Sequence, residues 1–241
     1  MYLSGDNCCF SCINHNPEKI IEIYINIEKQ GIYKKIIENN KLEKITRYVS
    51  KKDLFKLDID NRRTSNDIII RREKYQPYLL DEIINIESSN SLIIIADQLT
   101  DQNNLGNIIR TSLLMGADGI VTSEHSSALI TSATSNTSSG AIELLKFHVS
   151  KNISRSIETL KKKGYWVYAL DIKGEEINTE FYFDKKSVLI IGNEGKGIRK
   201  NIIENSDFKI SLPQKKIKGI DSYNAANSLA LAAYHYKINN R

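Results

Sequence analysis

An alternation of short apolar runs with amphipathic stretches dominates the second part of the chain, and it limits the fold more than any other feature. The runs SLIIIAD, GIVTS, YWVYALD and SVLIIG have the length and continuous hydrophobicity of strands that are buried on both faces. Helical patterns lie between them, including NLGNIIRTSLLMGA, which Gly116 ends, and ISRSIETLKKKG, which Gly164 ends. Because strands that alternate with helices pair in parallel, the sequence predicts an α/β domain whose parallel sheet carries helices on both faces.

Residues 1–72 predict a smaller α/β unit. GDNCCFSCI predicts a helix capped by Asp6, KIIEIYINIE a strand, GIYKKIIENN a helix, and KITRYVS and DIIIRR two strands separated by the polar turn DIDNRRTSND. A polar linker that contains Pro77 follows at residues 73–78, and we assign residues 79–241 to the larger domain. Within that domain, the Ser/Thr-rich tract SALITSATSNTSSG is interpreted as a flexible loop.

The net charge of +5 is unevenly distributed along the chain. The first 78 residues hold 15 Lys and Arg against 11 Asp and Glu, which gives +4 of that total. A basic small domain indicates nucleic acid as a partner, although a solvated charged surface explains the same numbers equally well. No apolar run reaches the length of a membrane span, and the N-terminus lacks the pattern of a secretory signal. We therefore expect a cytoplasmic protein that does not contact a membrane.

The cysteines of the chain are Cys8, Cys9 and Cys12, with His15 close by. Structural zinc sites use two ligand pairs separated by a longer loop, and no second cysteine pair follows. The three thiols share one face of the predicted helix, where cysteine behaves as a small hydrophobic residue. We expect them to pack in a core and to bind no metal.

Three polar, glycine-containing loops follow predicted strands, where parallel α/β sheets bind ligands. They are DQLTDQNNLGNIIR, IGNEGKG and LPQKKIKGIDSYN. In IGNEGKG, the glycine spacing and the absence of Ser or Thr after Lys196 exclude a Walker A loop, and the glycine order reverses that of a dinucleotide fingerprint. Glu194 in its centre would repel phosphate and favour a cationic or hydrogen-bond-donating ligand. A tight glycine turn without a ligand is the alternative interpretation.

None of these loops contains a Ser/His/Asp set, a Cys/His pair or a metal cluster. They therefore lack the catalytic residues of a hydrolase and the ligands of a metalloenzyme. They supply side chains and backbone amides that bind and orient, which suits an enzyme whose cofactor brings the reactive group. Taken singly, Asn104 at the expected start of its helix, and Ser222 and Asn224 before the last helix, are also typical caps. Arg110 taken alone is typical of a helix surface.

Together, NLGNIIRTS, IGNEGKG and ISLP…SYNAANSLALAAY resemble motifs one, two and three of the SpoU (TrmH-like) RNA 2′-O-ribose methyltransferases of the SPOUT superfamily. The resemblance covers residues 90–240 and points to the group that methylates guanosine in bacterial 23S rRNA. Residues 1–72 resemble, more loosely, the small ribosomal-protein-like domain that binds substrate RNA in that group. The resemblance implies a C-terminal trefoil knot, S-adenosylmethionine as cofactor and a homodimer formed through the knotted domain.

Matching the motifs residue by residue implies two sets of functional residues. The set that acts on the substrate is Asn104, Arg110, Glu194, Ser222 and Asn224. The set that lines the cofactor is Ile191, Gly192, Gly197, Leu212 and Tyr223. In the family, the arginine that matches Arg110 is often named as the group that activates the ribose hydroxyl. Because arginine is not readily deprotonated, we expect it instead to hold an RNA phosphate and stabilise the developing alkoxide.

The chain departs from the family pattern at several places. Motif one usually has Asp-Pro before the asparagine, whereas this chain has Asp101-Gln102-Asn103-Asn104. Tyr223 replaces leucine in motif three, and the loop PQKKIKGID is longer and more basic. The first domain lacks the His-Gln-Gly stretch common in relatives, and RTSNDII stands near that place. These differences bear on the RNA target more than on the reaction.

The presence of the first domain indicates rRNA rather than tRNA as the substrate. We expect no contact with DNA. The alternatives are a tRNA 2′-O-ribose methyltransferase and a non-catalytic RNA- or ribosome-binding protein. A nucleotide-linked oxidoreductase is contradicted by the reversed glycine order.

Overall fold

The computed structural model describes residues 1–57, 67–125, 127–215, 217–218 and 222–240. Its strands, numbered in chain order, are β1 (Tyr2–Ser4), β2 (Ile20–Asn26), β3 (Thr46–Val49), β4 (Ile68–Arg72), β5 (Ser91–Ala96), β6 (Gly119–Ser123), β7 (Lys146–Ser150), β8 (Trp166–Glu176), β9 (Lys186–Ile191) and β10 (Phe208–Ser211). Its α-helices are α1 (Asp6–His15), α2 (Gln30–Asn39), α3 (Lys51–Leu57), α4 (Leu80–Ile83), α5 (Gln102–Met115), α6 (Ser132–Thr137), α7 (Ile153–Lys162), α8 (Lys200–Glu204) and α9 (Ala225–Asn239).

The first of two compact units combines Met1–Gln76 with Leu129–Leu144. Its sheet has the order β1-β4-β2-β3, in which β4 is antiparallel to both neighbours and β2 is parallel to β3. Apolar residues of α1, α2 and the sheet form its core. The predicted core packing of the cysteines is confirmed, because Cys8, Cys9 and Cys12 are buried in this unit.

Three details of this unit differ from the sequence expectation. Asp6 is the first residue of α1 and not its cap, because Gly5 with φ of 92° precedes it and the Asp6 carboxylate accepts from the Tyr33 hydroxyl at 2.8 Å. The strand β1 and the helix α3 were not predicted. Most of the turn expected at residues 58–67 lies outside the described residues.

The Ser/Thr-rich tract is not a flexible loop, because it contains α6 and buries Ser132, Thr134 and Ser135. Serine and threonine hydroxyls can bond to nearby backbone groups, so such a helix shows no hydrophobic period in its sequence. The chain thus enters the first unit a second time at residues 129–144, a return that a linear division at residues 73–78 does not include. The RNA-binding role of residues 1–72 stays a prediction.

Buried Glu143 anchors this returning segment within the first unit. Its carboxylate accepts from Arg72 Nη1 and from the Tyr75 hydroxyl. Asn16 Nδ2 donates both to the Glu143 backbone oxygen at 2.8 Å and to its Oε2 at 2.9 Å. Burying a carboxylate is tolerated only when it is paired and hydrogen-bonded, as it is here.

The second unit comprises Pro77–Ala128 and Leu145–Arg241. Its sheet has the order β10-β8-β9-β5-β6-β7 with every pair parallel, so the predicted α/β architecture is confirmed. The predicted helix stops are confirmed too, since Gly116 has φ of 81° and Gly164 has φ of 86°. The trefoil knot stays a prediction. Within the part of the chain that the structure describes, no helix is long and apolar enough to span a membrane.

One irregularity in this sheet shapes the site. Lys209 of β10 pairs with Ala169 of β8, but the next residue, Ile210, pairs with Glu175. Residues 170–174 of β8 therefore bulge out opposite a single step of β10. The bulge ends at Gly174, where an added Cβ would lie 2.5 to 2.7 Å from backbone atoms of Ile210. Only glycine permits β8 to approach β10 so closely at this position.

Candidate functional site

A cavity of about 390 Å³ opens in the second unit, beyond the carboxyl ends of the paired parts of β8, β9 and β10. Its size falls within the range of pockets that hold small ligands and cofactors. The lining comes from the β8 bulge, the loop after β9, the loop after β10 and the start of α9. It consists of Leu170, Asp171, Ile172, Lys173, Ile191, Gly192, Asn193, Glu194, Gly195, Lys196, Gly197, Ile210, Ser211, Leu212, Gln214, Ser222, Tyr223, Ala225 and Ser228.

The loop IGNEGKG folds back on itself through Asn193. The Asn193 backbone N–H donates to Gly197 O at 3.1 Å, and Gly197 N–H donates to Asn193 O at 2.8 Å. The Asn193 side-chain oxygen accepts from the backbone amides of Gly195 at 2.9 Å and Lys196 at 3.1 Å. A Cβ on Gly192 would lie 2.3 to 2.4 Å from backbone atoms of Gly197 and Ile198. Glycine at this position is therefore required by the closure of the loop itself.

Asp97 connects both ends of this loop to the strand β5, one end through an ion pair with Arg199 and the other through its backbone N–H. Asp97 follows β5 directly, and its fully buried carboxylate accepts from Arg199 backbone N at 3.0 Å, Nε at 2.9 Å and Nη2 at 2.5 Å. Its own backbone N–H donates to Ile191 O at 2.8 Å. Gln98, which has φ of 57°, offers its carbonyl to Asn193 Nδ2 at 3.2 Å. The loops after β5 and β9 are thereby held together.

The Asn224 side chain connects all three motif loops. Its Nδ2 donates to Asn104 Oδ1 at 3.0 Å and to Glu194 Oε1. Its Oδ1 accepts from Ala226 N at 2.9 Å, so Asn224 also caps α9, as its position in the sequence suggested. Glu194 lines the cavity, and this network therefore reaches the cavity wall.

The structure brings most of the candidate residues together. The cavity is lined by all five residues expected to contact the cofactor, and also by Glu194 and Ser222. Asn104 joins them through Asn224, but it is the third residue of α5 and not the first, because Asp101 caps the helix and accepts from Asn103 N at 2.8 Å. Arg110 lies on the exposed side of α5, and its role stays a prediction.

Sequence analysis did not identify several residues that line or support the cavity. Leu170, Ile172 and Lys173 belong to the β8 bulge, which the run YWVYALD does not distinguish from an ordinary strand end. Asp97 and Arg199 were also missed, although a carboxylate directly after a buried strand is a signal that could have drawn attention to Asp97. The Tyr223 hydroxyl donates to Pro213 O at 3.0 Å, so the ring that replaces the usual leucine is tied to the preceding loop.

The chemistry available in the cavity is binding and orientation. Apolar side chains cover part of the wall, and two carboxylates reach it, those of Asp171 and Glu194. Asp171 is paired with Lys209 at 3.5 Å. Among the described residues, no group of three or more His, Cys, Asp and Glu side chains could hold a metal ion.

The model of the SpoU rRNA Methylase family matches residues 91–234 of the chain. An uncharacterized tRNA/rRNA methyltransferase of Borreliella burgdorferi is 40% identical over 63% of this chain, a match that spans 65% of that relative, slightly less than two thirds of its length. A putative TrmH family tRNA/rRNA methyltransferase of Bacillus subtilis, YacO, is 30% identical over 97% of this chain and 94% of its own length.

Two further similarities concern sequence and fold. The 23S rRNA (guanosine-2′-O-)-methyltransferase RlmB of Neisseria meningitidis serogroup B is 28% identical over 82% of this chain and 80% of its own. The SpoU methyltransferase AviRb of Streptomyces viridochromogenes, solved in complex with AdoMet, has a similar fold, with a TM-score of 0.82 at 19% identity over 100% of this chain and 91% of its own. The family model covers more than half of the chain, and the chain therefore belongs to the SpoU rRNA methylase family.

Proposed function

We propose that this protein transfers a methyl group from S-adenosylmethionine to a ribose 2′-hydroxyl of RNA, most specifically of 23S rRNA. The observation that carries the proposal is the Asn224 side chain, which joins Asn104 to Glu194 at the wall of a cofactor-sized cavity. Membership of the SpoU family and the activities named for the relatives support the reaction class.

The cavity fits S-adenosylmethionine in size and in chemistry. This cofactor supplies a methyl group on a positively charged sulfur. Leu212 and Tyr223 offer apolar surface for its adenine. The backbone of Ile191, Gly192 and Gly197 lines the same cavity, and Gly197 has open space where a side chain would lie. Glu194 adds a negative charge that suits a cationic ligand better than a phosphate.

The protein's own contribution to the reaction is orientation and electrostatics. A ribose hydroxyl is a poor nucleophile, so rate is gained by holding it in line with the methyl group and by stabilising the alkoxide that develops. Asn104, Ser222 and Asn224 would position the ribose and the loops. Arg110 is exposed on α5, where its guanidinium group would hold the adjacent RNA phosphate and stabilise that alkoxide.

The RNA target is proposed on two grounds. RlmB of Neisseria meningitidis is named a 23S rRNA (guanosine-2′-O-)-methyltransferase, whereas YacO is named a putative tRNA/rRNA methyltransferase. The first 78 residues carry +4 of the net charge, which suits binding of a large RNA. A tRNA substrate and a non-catalytic RNA-binding role are the alternatives. A cytoplasmic location follows from such substrates.

We also propose that the second unit forms a homodimer. Leu231, Tyr234 and Ile238 are exposed on α9 at a spacing that places them along one side of the helix, and exposed Leu114 lies on α5, which packs against α9. A second copy of the chain is the partner that the family resemblance implies for this apolar surface.

Methyl transfer from radiolabelled S-adenosylmethionine to unmodified rRNA and tRNA tests the function directly. We expect label in a ribose of 23S rRNA, and an Arg110→Ala variant that retains cofactor binding but loses most of the transfer. Arg155→Ala, at an exposed arginine of α7, is the matched control. Label in tRNA alone would replace the proposed substrate. Failure to bind the cofactor and to transfer label would favour the non-catalytic alternative.

A further inference from the structure

Two aromatic rings are exposed side by side at the end of the second unit's sheet that is opposite the cavity. Trp166 begins β8 and is 48% exposed, and Phe208 begins β10 and is 41% exposed. Their ring centroids are 5.8 Å apart with the planes at 41°. Paired exposure of two large aromatic side chains is unusual for a surface that serves folding alone, and such surfaces mark interaction sites.

Phe208 is held in place from beneath, and Trp166 lies against it. Phe208 stacks on buried Tyr168 at 4.9 Å with an interplanar angle of 16°, and Phe183 packs edge-on against Tyr168 at 4.8 Å. The Tyr168 hydroxyl donates to Asp184 Oδ2 at 2.6 Å, which fixes the ring at the base of the stack. Ordered rings lose little conformational freedom when a ligand stacks on them, so the surface is pre-organised for binding.

Lysines outnumber carboxylates around the pair, where Asp184 and Asp207 are the nearby acidic residues. The helix α7 ends in Lys161 and Lys162, Lys163 follows it, and Lys185 precedes β9, whose Ser187 pairs with Trp166. Lys161 is neutralised by Asp207 at 2.7 Å, and Asp207 also accepts from Val167 N at 2.9 Å. Lys162, Lys163 and Lys185 are exposed. Aromatic rings that carry exposed lysines within a few residues in the chain, or on the neighbouring strand, are the combination that binds single-stranded nucleic acid.

We propose that Trp166 and Phe208, with Lys162, Lys163 and Lys185, form a stacking platform for unpaired bases of the substrate RNA outside the methylated nucleotide. The proposal rests on the proposed function only in taking RNA as the ligand. A protein partner would not require the lysines, whereas an RNA strand uses the rings for its bases and the lysines for its phosphates.

The platform is placed to extend the RNA contact beyond the cavity. Trp166 and Leu170, the first cavity residue of β8, are four residues apart, and strand geometry puts about 13 Å between them. A strand of RNA whose target ribose lies at the cavity can therefore reach the platform within a few nucleotides. Stacking tolerates any base, so the platform adds affinity and direction and leaves sequence selection to other contacts.

Trp166 is the single tryptophan of the chain, so its fluorescence reports on the platform alone. We would titrate the full-length protein with a single-stranded RNA of about ten nucleotides, within the site sizes of single-strand binders. Saturable quenching of Trp166, together with protection from iodide, is the expected result. The same titration is made without S-adenosylmethionine, so that it does not depend on methyl transfer.

Variants separate stacking from simple apolar contact. Trp166→Phe keeps a ring and should retain affinity within about threefold, whereas Trp166→Leu keeps apolar bulk without a π-face and should bind roughly tenfold more weakly. Affinities are measured by anisotropy of labelled RNA. Lys162→Ala with Lys163→Ala should reduce the slope of log K against log salt by about 1.4, since each phosphate contact to a single strand contributes about 0.7.

Each outcome of these experiments either supports or overturns the stacking platform. RNA that binds with unchanged Trp166 fluorescence, or equal binding by the phenylalanine and leucine variants, would overturn the platform while leaving RNA binding and methyl transfer intact. A fluorescence change that follows protein concentration without RNA would assign the surface to another copy of the chain and also overturn it. Quenching with no methyl transfer would support the platform and contradict the proposed enzyme activity.

Discussion

Asn224 donates to Asn104 at 3.0 Å and so joins the start of α9 to the start of α5, 120 positions earlier in the chain. The same Nδ2 donates to Glu194, and the Asn224 oxygen accepts from Ala226 N. One side chain thus caps a helix and connects the three loops that surround the cavity. The capping and connecting roles use different atoms, which allows substitution to separate them.

Asn224→Ser is predicted to keep the helix cap and lose both donated bonds. Serine is as good a cap as asparagine, so the cap's contribution to stability should be retained and the melting temperature should lie above that of Asn224→Ala. Hydrogen bonds to a charged group contribute about 1.5–3 kcal/mol, so methyl transfer should fall roughly 10- to 150-fold. Asn224→Ala should show the same loss of transfer and, in addition, a loss of about 1 kcal/mol of stability. Full activity of the serine variant would show that the network has no part in the reaction.

Gly192→Ala is predicted to abolish cofactor binding. The added methyl would lie 2.3 to 2.4 Å from Gly197 and Ile198 backbone atoms, which no side-chain movement can relieve. Gly195→Ala is the matched control, because its Cβ would meet only Asn193 Oδ1 at 3.6 Å, an ordinary contact. Calorimetric titration with S-adenosylmethionine compares the two. Equal affinities would mean that loop closure does not shape the cofactor site.

Structural features that come from a periodic pattern could be predicted from the sequence. Features that depend on one tertiary contact could not. Strand–helix alternation identified the parallel sheet, since many residues contribute to each period. The β8 bulge was missed because it depends on Gly174 lying against Ile210, a contact between segments distant in sequence. The motif residues could be assigned to loops, but the bonds that Asn224 makes follow from tertiary placement and have no periodic signal.

Removing Arg199 is predicted to destabilise the protein more than replacing Asp97. Arg199→Ala leaves a fully buried carboxylate without its cation, which costs about 3–5 kcal/mol. Asp97→Asn leaves an arginine that is about one-third exposed and can be solvated, so we expect a loss of about 1–2 kcal/mol. Urea unfolding of both variants measures the difference. Lys200→Ala, which removes the exposed cation next to Arg199 in the chain, is the control and should leave the midpoint nearly unchanged.

The buried thiols are predicted to be unreactive in the folded protein. Burial raises the pKa of Cys8 to about 11 and that of Cys12 to about 12, so the thiolate that reacts is scarce at pH 8. Because folding favours the neutral thiols, their contribution to stability is complete below about pH 8.5 and is lost as the pH rises through 11 to 12. Ellman's reagent at pH 8 should label none of the three thiols natively and all three in guanidinium. Rapid native labelling would contradict their place in the core.

Deleting residues 1–76 alone is predicted to give an unstable protein, although every cavity residue lies in the second unit. The segment Leu129–Leu144 would lose the residues of the first unit that it packs against. Glu143, whose side chain is buried against Arg72, would lose its cationic partner. A buried ion pair that is broken on one side costs about 3–5 kcal/mol, and we expect a similar loss for Glu143→Gln in the full chain.

Glu38→Gln, at an exposed pair with Lys34, is the control for that substitution and should change stability by less than about 0.5 kcal/mol. Replacing residues 129–144 of the truncated chain by a flexible Gly/Ser linker should restore a soluble protein that binds S-adenosylmethionine but binds RNA weakly. Binding of the dye ANS and calorimetric titration distinguish the two truncations. If the simple deletion is folded and binds the cofactor as tightly as the full chain, the returning segment does not depend on the first unit.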